Sequence, residues 1–220
     1  MTHYHKISPY ADDFANDLKR YSGLLNLSFS EIQIHQLLSY LDNLLLWTKA
    51  YNLTAITDPK DAFIKHILDC LAVVADLPFA DKSGMSVLDV GTGAGLPSVI
   101  IAIMRPDWYV TALDSNGKKI RFIRQMVGEL GLTNLTPVAS RIEDFDGAFD
   151  VITSRAFASL DDFVALAKPY LKTDGMLYAM KGKVPTDDDV VNLTDWHIDV
   201  KPIKVPELSD ERCVVYLKTN

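Results

Sequence analysis

The chain has 220 residues, 48% hydrophobic and 23% charged, which suits one domain plus an added element and excludes a disordered or fibrous chain. Cys70 and Cys213 lie far apart, with no CxxC or His/Cys cluster, which argues against a disulfide framework or metal site and suits a reducing cytoplasm. The net charge of −7, 22 basic against 29 acidic residues, counts against a nucleic-acid partner unless the basic residues gather on one face.

The opening MTHYHKISPY has no secretory pattern. The longest strongly apolar stretch, 96–104, falls short of the roughly 20 residues of a bilayer span, so no membrane partner is expected. Residues 1–80 read as a helical appendage. Ser28-Phe29-Ser30-Glu31 fits a capping box. Behind it Ile34, Leu37, Leu38, Leu41, Leu44 and Leu45 repeat at three- and four-residue spacing, one apolar helix face that packs against the main domain. Asp58-Pro59 supplies a cap and a first-turn proline for a helix through His66, Asp69 and Leu71. His66 and Asp69 share a helix face. A structural hydrogen bond docking the appendage onto the sheet is the preferred reading over an acid–base pair.

From Met85 short apolar runs alternate with helical stretches, at 86–90, 109–113, 135–139, 150–154, 176–180, 197–205 and 213–217, with helices expected at about 96–104, 118–130 and 160–170. This alternation predicts an α/β fold for 81–220, a seven-stranded, mostly parallel, doubly wound sheet closed by an antiparallel pair.

Leu88-Asp89-Val90-Gly91-Thr92-Gly93-Ala94-Gly95-Leu96 follows a predicted strand and opens a predicted helix, where glycines bring backbone N–H groups close to a ligand. Asp114, 19 residues beyond Gly95, stands where a carboxylate holds ribose hydroxyls. A dinucleotide fingerprint has its third glycine three places after the second; here Gly95 follows Gly93 by two, and Asp89 precedes Gly91. That form resembles the first motif of class I S-adenosylmethionine (SAM) methyltransferases. Asp89 would attract the cationic end of SAM, directly or through water, whereas a dinucleotide pyrophosphate would gain little from that negative charge. An NAD-dependent dehydrogenase is thereby disfavoured.

Ser154-Arg155-Ala156-Phe157 stands where amino-group methyltransferases of this fold carry Asn/Asp-Pro-Pro-aromatic, and neither cysteine looks placed as a nucleophile for pyrimidine C5. An acceptor with a free lone pair or an easily ionised group remains. WTKAYNLT (47–54), His66-Ile67-Leu68-Asp69, the glycine loop, Ser140-Arg141-Ile142-Glu143, Ser154-Arg155-Ala156-Phe157 and Lys181-Gly182 together resemble the small-subunit rRNA methyltransferase G family, also called glucose-inhibited division protein B. The resemblance runs from about residue 18 to the C-terminus.

It implies methyl transfer from SAM to N7 of one guanine in 16S rRNA, with the rRNA or a small-subunit assembly intermediate as partner. It also implies cofactor contacts at Gly91, Leu96, Ile142, Glu143 and Arg155, to which the motif and spacing add Asp89, Gly93, Gly95 and Asp114. N7 exposes its lone pair, so no catalytic acid or base is nominated. RNA contacts are expected from Lys118, Arg121, Arg141, Lys181 and Arg212, with Lys119, Arg124 and Lys183 nearby. The chain is expected to act as a monomer. A methyltransferase acting on a small molecule or protein, and a SAM-sensing RNA-binding module without turnover, are the alternatives.

Overall fold

The computed structural model describes residues 4–155, 157 and 159–220; Ala156 of the Ser154–Phe157 block lies outside the described residues. Two long helices lead the chain. In α1 (Ala11–Leu25) Phe14, Leu18, Tyr21 and Leu25 are buried at helical spacing. α2 (Glu31–Tyr51) begins two residues later than its expected capping box. Ser30 and Gln33 exchange the bonds: the Ser30 hydroxyl accepts from Gln33 N at 3.2 Å, and Gln33 Oε1 accepts from Ser30 N at 2.9 Å. Tertiary contacts favour this register. Glu31 is taken up by Lys19 at 2.8 Å, and Gln33 Nε2 donates to Ile103 O at 3.1 Å.

Asp58 caps α3 (Pro59–Ala62) as expected, accepting from the N–H groups of Lys60 and Asp61. The helix then widens into a π segment (Phe63–Leu68) and returns to α geometry in α4 (Asp69–Val74). A π turn shifts the faces on either side of it and often marks a functional position. Here it carries Lys65 and His66.

The sheet contains β1 (Ser86–Val90), β2 (Tyr109–Asp114), β3 (Leu135–Ala139), β4 (Phe149–Ser154), β5 (Leu171–Lys181), β6 (Trp196–Pro202) and β7 (Cys213–Thr219). Its order is β3-β2-β1-β4-β5-β7-β6. The pairs among β1 to β5 are parallel, and β7 inserts antiparallel between β5 and β6. The expected α/β architecture is present, with β5 beginning at Leu171 rather than 176.

Strand residues alternate between two cores. Val87, Val110, Val151 and Tyr178 join the cluster shared with α1, α2, α4, α5 (Ser98–Met104) and α6 (Gly117–Leu130). Leu88, Leu113, Ile152 and Leu177 face α7 (Leu160–Ala167). The first cluster runs continuously from Ile7 to Val214, so the N-terminal helices and the sheet share one core. α2 also reaches the glycine loop, where the buried Tyr40 hydroxyl donates to Ala94 O at 3.0 Å.

Candidate functional site

The parallel strands end along one edge, where open α/β sheets bind their ligands. Between the ends of β1, β2 and β3 is a cavity of about 240 Å³ whose walls include Gly91, Asp114, Arg141, Ile142 and Glu143. Five residues singled out from sequence thus meet in one place. The loop above β1 is closed on β2, with Gly91 N and Thr92 N both donating to Leu113 O at 2.9 and 3.0 Å. Asp114 Oδ2 accepts from Gly93 N at 2.9 Å, and its Oδ1 accepts from Asn116 N at 2.8 Å, which fixes the carboxylate at the cavity wall.

The glycines do different work. Gly91 (φ +68°) is exposed, and an added Cβ would meet nothing within 4 Å. Gly95 (φ +98°) is pressed into the core, where a Cβ would lie 2.5 Å from Val99 Cγ2. Gly95→Ala is therefore expected to destabilise the fold by about 2–4 kcal/mol through strain and overpacking. Gly91→Ala should cost only about 1 kcal/mol, from φ alone. Urea unfolding of both variants checks the contrast; equal losses would contradict it. Leu96 lies in the core rather than on the cavity wall.

Asp89 is fully buried beneath this loop. Its Oδ2 accepts from Thr92 Oγ1 at 2.6 Å and Ser98 N at 3.1 Å, while Oδ1 has no partner among the described residues. Thr153, its register neighbour on β4, likewise has an unpartnered buried hydroxyl. Burial pushes the Asp89 carboxyl up to about 6, against the opposing hydrogen bonds of Thr92 and Ser98 and the charge of Arg155. Two adjacent buried polar atoms left unsatisfied suit a ligand with a cationic, hydrogen-bonding end, and the negative charge disfavours a pyrophosphate.

A second cavity, about 340 Å³, opens beside the first and gathers His66, Asp69, Arg155, Lys181, Arg212 and Cys213. Arg155 lines this cavity, and its charge reaches the buried Asp89 below the glycine loop. Its Nη1 lies 3.5 Å from Lys65 O, and 3.8 Å from both Cys70 Sγ and Asp69 Oδ2; these are contacts rather than tight bonds. Asp69 also accepts from Arg212 Nε at 3.0 Å, which joins α4 to the start of β7. Desolvation raises the Asp69 carboxyl despite both arginines. Lys181 Nζ donates to Phe157 O at 2.8 Å.

His66 Nδ1 faces Lys65 O at 3.1 Å, and a carbonyl only accepts, so Nδ1 carries the hydrogen. Nε2 then accepts from Thr54 Oγ1 at 2.8 Å. Burial, reinforced by the positive charge of Arg155, lowers this imidazole to about 4, so it is neutral near pH 7. His66 and Asp69 thus bind different partners: Asp69 ties the appendage to β7 through Arg212, whereas both His66 bonds, to Thr54 and Lys65, stay within the appendage.

Sequence position misleads for the cysteines. Cys213 lines the second cavity and Cys70 touches Arg155, so both are close to the site after all. Their chemistry still argues against nucleophilic attack. Burial pushes the Cys70 thiol up to about 12 and raises Cys213 as well, whereas a nucleophile needs a depressed thiol. Of the expected RNA contacts, Lys181 and Arg212 share the second cavity and Arg141 the first, while Lys118 and Arg121, exposed on α6, line neither. Among the described residues no helix is long and apolar enough to cross a membrane, and no group of three His, Cys, Asp or Glu could hold a metal.

Residues 33–215 match the family model described as rRNA small subunit methyltransferase G. A relative from Psychrobacter cryohalolentis, named ribosomal RNA small subunit methyltransferase G, is 54% identical over 98% of this chain and 89% of its own. One of the same name from Acinetobacter baumannii is 45% identical over 93% of this chain and 98% of its own. In fold, the chain resembles a SAM-dependent methyltransferase from Aquifex aeolicus, with TM-score 0.53 at 21% identity, covering 73% of this chain and 93% of that one. It also resembles M. jannaschii TYW2 in complex with AdoMet, with TM-score 0.54 at 14% identity, covering 70% and 76%. This chain belongs to the rRNA small subunit methyltransferase G family.

Proposed function

We propose that the protein transfers a methyl group from SAM to N7 of a guanine in 16S rRNA, with the cofactor in the cavity at the glycine loop and the guanine in the adjoining one. When bound, SAM supplies the methyl as an electrophile on a cationic sulfur. Asp114 is suitably held to accept from ribose hydroxyls, and Ile142 and Glu143 border the space beside it. The buried Asp89 carboxylate favours a cationic ligand, and the hydrogen bonds of Thr92 and Ser98, with a smaller contribution from the charge of Arg155, oppose its protonation.

The observation that carries the reading is the engagement of His66, Asp69 and Cys213 in the acceptor cavity, where Lys181 also donates to Phe157 O. His66 is neutral with both nitrogens engaged. Asp69 is bound by two arginines, and the thiol of Cys213 is raised. These groups are poorly suited to remove a proton, so the site favours an acceptor whose lone pair is already free, as at guanine N7. Positioning then supplies the catalysis. Turnover with saturating SAM and RNA is expected to stay level from about pH 7 to about pH 9, since no essential base titrates there. A rate climbing tenfold per pH unit would instead indicate an acceptor that must first lose a proton.

A further inference from the structure

On the far side of the 52–57 segment from the acceptor cavity is a separate hollow of about 320 Å³. Lys6, Thr48, Lys49, Asn52, Thr54 and Thr57 contribute cations, hydroxyls and an amide to it, and none of the residues lining it is a carboxylate. The two cavities share a wall. Thr54 lines the hollow while its hydroxyl binds His66 of the acceptor cavity, and Ile56, between Ala55 and Thr57, faces the acceptor cavity instead.

The lysines lie far apart along the appendage and are brought together by the fold. Lys6 is placed by the backbone N–H groups of His5, Lys6 and Ile7, all of which donate to the Asp42 carboxylate on α2. That carboxylate is buried and occupied by these bonds. Lys49 is on the last turn of the same helix. Both lysines line the one hollow, and Lys49 lowers the proton affinity of Lys6 against the opposing charge of Asp42, whose carboxylate is taken up by backbone N–H groups. Two like charges over one concave, hydroxyl-lined surface favour an anion seated between them.

We propose that Lys6 and Lys49 hold an RNA backbone phosphate next to the target guanine, so that the strand crosses the 52–57 wall with its base in one cavity and a neighbouring phosphodiester in the other. This inference rests on the rRNA reading above. It gives the extreme N-terminal segment a role in substrate binding. It also shows how an acidic protein presents a local positive site to RNA.

The test compares wild type with Lys6→Gln/Lys49→Gln for binding to unmethylated 16S rRNA across a salt series, with SAM affinity and thermal unfolding as controls. The double variant should bind RNA about 5- to 10-fold more weakly at low salt, with a salt slope smaller by about 0.7–0.9, the loss of one phosphate contact. SAM affinity should be unchanged, and Lys6→Arg/Lys49→Arg should keep the wild-type slope. If the glutamine variant folds poorly, Lys49→Gln alone, at an exposed position, should still reduce the slope. Wild-type affinity and slope in a folded variant would overturn the phosphate site while leaving the methyltransferase reading intact. A wild-type unfolding temperature raised by inorganic phosphate through these lysines, with no change in RNA slope, would assign the hollow to a free anion and also overturn it. Absence of salt-dependent RNA binding by the wild type would count against both.

Discussion

Replacing Arg155 with alanine should lower kcat/KM for methyl transfer to small-subunit rRNA by about 100-fold or more, while the protein stays folded. The guanidinium lines the acceptor cavity, 3.8 Å from Asp69, and its charge opposes the rise of the buried Asp89 carboxyl. Removing it leaves Asp69 with Arg212 as its cationic partner and pushes Asp89 further towards the neutral acid, which attracts a cationic ligand less. The side chain is about one-third exposed and its contacts are long, so little stability is at stake. Arg155→Lys should recover only part of the loss, because an ammonium restores the charge but not the planar fork. Transfer from labelled SAM, together with calorimetric SAM binding, checks both variants. Alanine-variant transfer within threefold of wild type would remove Arg155 from the site.

Asp89→Asn should have opposite effects on stability and function. An asparagine side chain can keep the bonds from Thr92 and Ser98, while the cost of burying a charge disappears. The carboxyl is raised from 3.8 to about 6 in the folded chain, so its folded state holds the proton more tightly. That contribution to stability is complete below about pH 4 and is lost as pH rises through about 6, a swing on the order of 3 kcal/mol. The variant should therefore unfold roughly 2–8 °C higher than wild type at pH 7–8, after allowing for an imperfectly satisfied amide. This advantage should vanish towards pH 4. SAM affinity should fall at least about 10-fold, because the variant removes the charge that draws the cationic end. In wild type, SAM binding should weaken as pH drops below about 6. A variant that is less stable at pH 8, or binds SAM normally, would contradict this role.

These effects also mark how far sequence could be read. The glycine loop, the strand periodicity and the carboxylate at the end of β2 are local signals, and each stands where its pattern places it. The start of α2 is different, because Ser28 and Ser30 both head an Ser-x-x-Glu/Gln pattern, and the tertiary contacts of Glu31 with Lys19 and of Gln33 with Ile103 O favour the second. β5 begins five residues early because Leu171 pairs with Phe149 across a register shift, in a polar stretch without an apolar alternation.

The acceptor cavity was the least legible part. It draws on 56–73, 155, 180–182 and 203–213, and only the folded topology brings these together. For the same reason the link from Asp69 to Arg212, 143 residues apart, and the approach of both cysteines to the site have no signature in the chain. The family motifs marked His66, Asp69 and Arg155 as a set of conspicuous residues without showing how they meet. Lys6 lies before the matched region altogether.

The most direct test of the account is methyl transfer from labelled SAM to unmodified 16S rRNA and to small-subunit assembly intermediates, followed by cleavage at N7-methylguanine to map the product. Label at a single guanine, cleavable as the N7-methyl base, is expected in at least one of these substrates. Label on another atom or on many guanines, or no transfer to any of them by protein that binds SAM, would contradict it.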